Sequence, residues 1–144
     1  MTRSVLVTGA AGFLGRAFVR HHAAAGDEVF GVDDLSNPHS FWPGELREDH
    51  RTESDAGDRF TSLPDPGRRF DLAYHFAAPV GGRVKIEGDP LFNADCLRLD
   101  SQFYRWAVAR EVPTVVYPSS GAVYGVNFQT EEATLLHEGL FEPP

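Results

Sequence analysis

The apolar positions of this chain fall into short continuous runs that alternate with segments of helical spacing. Ser4 to Thr8 is a β-branched run that ends in Gly9-Ala10-Ala11-Gly12, the pattern of a parallel strand buried on both faces. From Gly12 to Ala25, Phe13, Leu14, Ala17, Phe18, His21, Ala24 and Ala25 recur at helical spacing, and Gly26 is placed to end that helix. Glu28 to Val32 predicts a second buried strand, closing on Asp33 and Asp34. Strand, glycine turn, helix and strand make one βαβ unit, and its right-handed crossover makes the two strands parallel neighbours.

Residues 37–57 carry Pro38, Pro43, Gly44 and a run of charges from Glu45 to Asp55, which predicts a mobile excursion with one short helix. Arg59 to Leu63 predicts a weak third strand and Phe70 to Ala77 a strong fourth, followed by a loop from Pro79 to Gly88. Asp89 is a suitable N-cap and Pro90 a suitable first helical residue. The helix they open should reach about Arg110, with Leu91, Ala94, Leu97, Phe103, Trp106, Ala107 and Val108 on or near its buried side. Thr114 to Tyr117 predicts one more strand, and beyond Tyr124-Gly125 the chain turns acidic and loop-like. The order of elements implies a doubly wound α/β fold: a parallel sheet of about five strands with helices on both faces.

Composition narrows the function. The 144 residues fit one domain, and 42% hydrophobic with 24% charged residues is ordinary for a water-soluble chain. A net charge of −8 repels phosphate backbones, so nucleic acid is not an expected partner. Cys96 is the only cysteine, which excludes an internal disulfide, a CxxC redox pair and a cysteine-based zinc site; no metal is expected. The N-terminus runs directly into a strand pattern rather than an apolar leader, and no run of 18 apolar residues occurs. The cytoplasm, with no membrane association, is the expected location.

The candidate chemistry lies in the turn. Gly9-Ala-Ala-Gly12-Phe-Leu-Gly15 follows a predicted strand and opens a predicted helix. In such a Rossmann-type turn the first glycine allows the tight bend, the second lets backbone approach a pyrophosphate, and the third lets helix and strand pack closely. The pyrophosphate then sits on the free N–H groups of the helix start. Asp33 follows at the end of the second strand, where a carboxylate can accept bonds from ribose hydroxyls. The segment Val32-Asp33-Asp34-Leu35-Ser36-Asn37 holds two carboxylates and no cation for a 2′-phosphate, so NAD is expected rather than NADP.

Four motifs in order then carry a resemblance: Thr8-Gly9-Ala10-Ala11-Gly12-Phe13-Leu14-Gly15, Val32-Asp33-Asp34-Leu35-Ser36, His75-Phe76-Ala77-Ala78, and Ser119-Ser120-Gly121-Ala122-Val123-Tyr124-Gly125. Together they resemble the extended short-chain dehydrogenase/reductase family, and within it the NAD-dependent sugar-nucleotide epimerases and dehydratases. The resemblance implies that Gly9, Gly12 and Gly15, with Phe13 and Leu14, hold the pyrophosphate. It places Asp33 at the adenosine ribose with Asp34, Ser36 and Asn37 close by, and Phe76, Ala77 and Ala78 beneath the cofactor. Ser119 lies beside Ser120, which falls on the family's catalytic serine or threonine and would bond the substrate oxygen at the carbon being oxidised. Gly82 and Arg83 belong to a loop similar to ones that reach the substrate side, where Arg83 or Lys85 could meet a phosphate. His75 reads as a structural residue at a strand end rather than a base, and Tyr124 as packing rather than the catalytic tyrosine.

Two departures stand out. The family's third strand commonly ends in an aspartate that bonds adenine, and against a strand at Arg59–Leu63 both Asp58 and Asp65 are off register. The family's Tyr-x-x-x-Lys pair is also missing from the 144 residues. The chain is therefore expected to be an incomplete NAD-binding domain, with the pair and the substrate lobe beyond Pro144. A nucleotide sugar is the expected small-molecule partner, and the helices of the full-length protein could form a homodimer. The competing reading is a non-catalytic NAD-binding module for sensing or assembly.

Overall fold

Parallel strands buried on both faces must be apolar on both faces, and β1 (Ser4–Thr8) shows how this sequence meets that demand. Val5 and Val7 point to one side, where they pack with Val29, Leu72, Tyr74, Val19, Ala10 and Leu46. Leu6 points to the other, joining Val32, Ala73, Leu99, Phe103, Trp106 and Ala107. In the computed structural model, which describes residues 2–55, 57, 68–81 and 83–119, β1 is the central strand of the sheet, with two strands on either side.

The neighbours are β2 (Glu28–Asp33), β3 (Arg51–Glu53), β4 (Leu72–His75) and β5 (Val115–Val116). All pairings are parallel: Val5 stands beside Val29 and Leu72, and Val32 beside Thr52. Helix α1 (Phe13–Ala24) covers one face through Val19 and Phe18. The long helix α3 (Pro90–Ala109) covers the other, and the six-residue α2 (Arg83–Gly88) precedes it. This is the doubly wound α/β architecture expected of a Rossmann-type fold. Among the described residues no helix is long and apolar enough to cross a membrane.

The structure corrects several boundaries. The third strand is Arg51–Glu53, entered through a 3-10 turn at Glu48–His50, inside what the proline and charge content marked as an excursion. Three residues are too few for a periodicity, and the strand exists because its backbone completes the ladder of β2. The segment Arg59–Leu63 lies outside the described residues. Helix α2 replaces the second half of the loop predicted over Pro79–Gly88. On α3, Phe103, Trp106 and Ala107 are buried as expected, but Leu91, Leu97 and Val108 are 70–78% exposed and Ala94 is exposed with them. Two apolar stripes compete on this helix. The one with Leu99, Phe103, Trp106 and Ala107 carries the larger side chains and packs on the sheet.

Two helices end in the same way with different residues. Gly26 (φ +81°) donates to the Ala23 carbonyl while Asp27 N–H reaches the His22 carbonyl. Glu111 (φ +52°) donates to Val108 while Val112 N–H reaches Ala107. This is the paired Schellman arrangement, which favours glycine because a Cβ crowds the left-handed conformation. The Arg69–Glu111 contact at 3.8 Å is highly exposed on both sides and does little to offset the strain. Glu111→Gly should therefore raise stability by about 0.5–1 kcal/mol, or roughly 3 °C in Tm. A lower melting temperature in calorimetry would contradict this reading of the helix end.

Candidate functional site

The strand order reverses direction at β1. The chain moves outward through β2 and β3 on one side, then returns to place β4 and β5 on the other. Loops leaving the carboxyl ends of β1 and β4 therefore part in opposite directions and open a crevice, the usual ligand position in such sheets. A cleft of about 570 Å³ occupies that place, a size typical of small-molecule sites.

Its walls collect residues from segments that follow the strands. Gly9, Gly12, Phe13, Leu14 and Gly15 come from the glycine turn, and Asp33, Asp34, Ser36 and Asn37 stand at or after the end of β2. Phe76, Ala77 and Ala78 follow β4, with Pro118 beyond β5. Ser119 is exposed and lies one residue past the lining. Arg83 begins α2, and Gly82 and Ser120 lie outside the described residues.

Each glycine of the turn has its own reason. Gly9 takes φ +65°, and a Cβ there would stand 2.8 Å from the Phe76 and Ala77 backbone. A Cβ on Gly15 would collide with the Gly9 carbonyl and stand 2.7 Å from Ala10 Cα, so this contact joins helix to strand. Gly12 is different: its Cβ would meet only the Gly9 oxygen, at 3.2 Å. Its missing side chain matters to the cleft more than to the fold.

The start of α1 is left open. Gly12 stands at the N-cap and supplies no side-chain bond, and the first turn contains no acidic residue. The amides at the first three helical positions have no partner within the helix, so Phe13, Leu14 and Gly15 can donate into the cleft. Helix α3 shows the opposite choice, with the Asp89 carboxylate accepting from Leu91 N at 3.0 Å and Phe92 N at 3.3 Å.

Across from this helix start, Asp33 is buried. Its Oδ2 accepts from Ala11 N and its Oδ1 from Leu35 N, both at 2.9 Å. A carboxylate has about four acceptor positions, so capacity remains on the cleft side. Asp34 and Asn37 repeat the bond to the amide two residues on, through Ser36 N and His39 N at 2.9 Å. These three turns shape the loop. Arg16 straps it to the glycine turn by donating to the Ala11 and His39 carbonyls, with its guanidinium 3.9 Å from the Phe41 ring centre.

Sequence reasoning missed two charged residues here. Asp55 lies two residues beyond β3 and lines the cleft, and Arg98 of α3 holds its carboxylate at 3.3 Å. With the third strand placed near Arg59–Leu63, Asp55 was hidden as one more charge of the excursion. Arg98 carried a signal of its own, since Asp95, Arg98 and Leu99 share one side of α3 and all reach the cleft. Among the described residues no group of three His, Cys, Asp or Glu is arranged to hold a metal ion.

Residues 5–142 match the family described as NAD dependent epimerase/dehydratase. The chain belongs to that family. No curated protein compared with it gives a match. Among solved structures it is similar to a UDP-galactose 4-epimerase at 29% identity and TM-score 0.68, covering 85% of this chain and 40% of that one. A UDP-glucose 4-epimerase from Thermus thermophilus, solved in complex with NAD, gives 25% identity and TM-score 0.78 over 98% and 44%. The NAD-dependent NDP-hexosamine 5,6-dehydratase TunA, involved in tunicamycin biosynthesis, gives 26% identity and TM-score 0.70 over 95% and 44%. The chain thus spans less than half the length of each of these proteins.

The glycine geometry separates fold from ligand. Gly15→Ala should destabilise the protein by several kcal/mol, about the scale of an overpacked or strained core. Gly12→Val should melt within a few degrees of the parent yet lose cofactor affinity. Thermal melting with NAD titration checks both, and unchanged affinity in a folded Gly12→Val protein would show that this turn does not seat the ligand.

Proposed function

We propose that this chain is the NAD-binding part of a nucleotide-sugar epimerase or dehydratase. The observation that carries the reading is the open N-terminus of α1 facing a buried carboxylate, Asp33, across one cleft. A dinucleotide presents those two demands in one molecule: a pyrophosphate needing N–H donors and a ribose diol needing an acceptor. The fit extends to the floor, where Ala77 and Ala78 leave room, and to Asp55, whose place past β3 suits the adenine amino group. We assign Asp55 as the adenine-side carboxylate that the strand assignment from sequence left unplaced.

When bound, NAD supplies a hydride acceptor for a sugar carbon. The residues of this chain bind and orient. Gly9, Gly12 and Gly15 with the Phe13 and Leu14 amides hold the pyrophosphate, and Asp33, with Asp34, Ser36 and Asn37 nearby, holds the ribose. Ser120, one residue past Ser119, aligns the reacting hydroxyl, and Gly82 with Arg83 meets the sugar nucleotide. A serine hydroxyl is too weak an acid to serve as the base at neutral pH. That role falls to a Tyr-x-x-x-Lys pair, which these 144 residues do not contain, and we place it in sequence following Pro144 together with the substrate lobe. The exposed outer side of α3, with Leu97, Tyr104 and Val108, is the surface on which a homodimer would form. Cytoplasmic location follows from the same reading.

The alternative, a non-catalytic NAD module, shares the cleft and differs only in the base. Assay of this chain against nucleotide sugars, beside a version extended through the downstream reading frame, separates them. Turnover should appear only in the extended form, since positioned acid–base groups contribute about 100- to 10,000-fold. Comparable turnover by the short chain would place the base elsewhere, and none in either would favour the module.

The cofactor choice has a separate test. Asp33 and Asp34 oppose a 2′-phosphate, and Arg16, the nearest strap cation, is committed to two carbonyls. Calorimetry should show NAD binding more tightly than NADP, and Asp33→Ala should weaken NAD by about 1–2 kcal/mol. Equal affinity for the two cofactors would overturn the ribose assignment.

A further inference from the structure

Behind the cleft lies a buried polar chain that the proposed reaction does not use. Thr8 and His75 end the paired strands β1 and β4 and are almost wholly inaccessible to solvent. Thr8 Oγ1 accepts from the Phe76 and Ala77 amides, each at 3.1 Å, and lies 2.8 Å from His75 Nδ1. A hydroxyl has two lone pairs and one proton. Ala77 N–H takes one lone pair and Phe76 N–H, shared with the Thr8 carbonyl at 3.2 Å, approaches the other, which directs the Thr8 proton to Nδ1 and the ring proton to Nε2. Nε2 lies 3.2 Å from Asp100 Oδ1 of α3, an electrostatic contact rather than an aligned hydrogen bond. Asp100 Oδ2 accepts in turn from the Tyr117 hydroxyl at 3.0 Å. The imidazole is clamped flat against Phe103, 4.1 Å between ring centres and 2° between planes.

We infer that His75 is a positioning residue, a neutral imidazole fixed as the Nε2–H tautomer, which couples the Phe76–Ala77 floor of the cleft to Asp100 and Tyr117. The inference rests on the reading of that floor as part of the NAD site. Its consequence is that one network sets two surfaces. The Ala77 amide is held on the cofactor side, and Tyr117, two residues before Ser119, is held on the side expected to carry the substrate. A protonated His75 has no place in it, because Nδ1–H would oppose the Thr8 proton. Burial agrees, holding the imidazole below the ordinary histidine range although Asp100 pulls the other way. Burial and the Asp100 carboxylate likewise push the Tyr117 phenol up, so that it remains a donor. Among the described residues, Cys96 and Tyr104 of α3 also interact with Asp100.

The test reads the network without needing the cofactor. Nitrogen-resolved NMR of histidine-labelled protein at neutral pH should show His75 with a bare Nδ1 and a protonated Nε2. The Nδ1–H tautomer, or an imidazolium, would overturn the inference. Amide hydrogen exchange then reads the coupling. Asp100 is partly exposed and does not line the cleft, so Asp100→Ala should fold, yet exchange at Ala77 should accelerate about tenfold. Asp100→Asn, which keeps an acceptor oxygen, should restore most of the protection. Unchanged Ala77 exchange in Asp100→Ala would break the claimed connection. NAD titration of the same proteins separates the two ideas. Loss of affinity in Asp100→Ala with recovery in Asp100→Asn supports the coupling. Failure of the parent to bind NAD while the tautomer and exchange results hold would refute the cofactor reading alone.

Discussion

The two bonds accepted by Asp33 hold the candidate site together. One ties the end of β2 to Ala11 in the glycine turn after β1, and the other closes the turn at Leu35. Without the first, a buried amide loses its partner; leaving such a group unsatisfied costs about 1–3 kcal/mol. The same carboxylate faces the cleft. The residue proposed to recognise ribose is thus also the residue that builds the pocket around it. Loss of Asp33 should be read in stability as well as affinity.

A contrast between helix starts gives the site its sign. Asp89 caps α3 with its own side chain, and that helix packs on the sheet as a structural element. Gly12 leaves α1 uncapped, and its positive end opens on the cleft. In a chain of net charge −8, this local set of donors is what lets an anionic ligand approach, since the field of aligned amides dominates at contact distance. The acidic residues lining the cleft are each engaged: Asp33 and Asp34 accept from backbone amides, and Asp55 and Asp95 both lie against Arg98.

What was legible in the sequence was legible for local reasons. The glycine spacing, the acid at the end of β2 and the small residues after β4 each reflect a constraint inside a few residues of chain, and the structure brings them to one cleft. The third strand was not legible, because Arg51–Glu53 has no pattern of its own and is specified by the ladder of β2. Asp55 was hidden with it. The buried side of α3 was ambiguous for a different reason. Leu91, Leu97 and Val108 form a second apolar stripe, and only the sheet decides between them. His75 read as structural at a strand end, but the groups around it come from β1, α3 and the end of β5, far apart in sequence.

Whether the glycine turn and the end of β2 grip one dinucleotide can be read in a residue-resolved NMR titration with NAD. The amides of Phe13, Leu14 and Gly15 should shift together with those of Ala11 and of residues 33–37, saturating on a single curve. Shifts confined to the exposed side of α3 or to α2, with the Phe13–Gly15 amides unmoved at saturation, would contradict that grip.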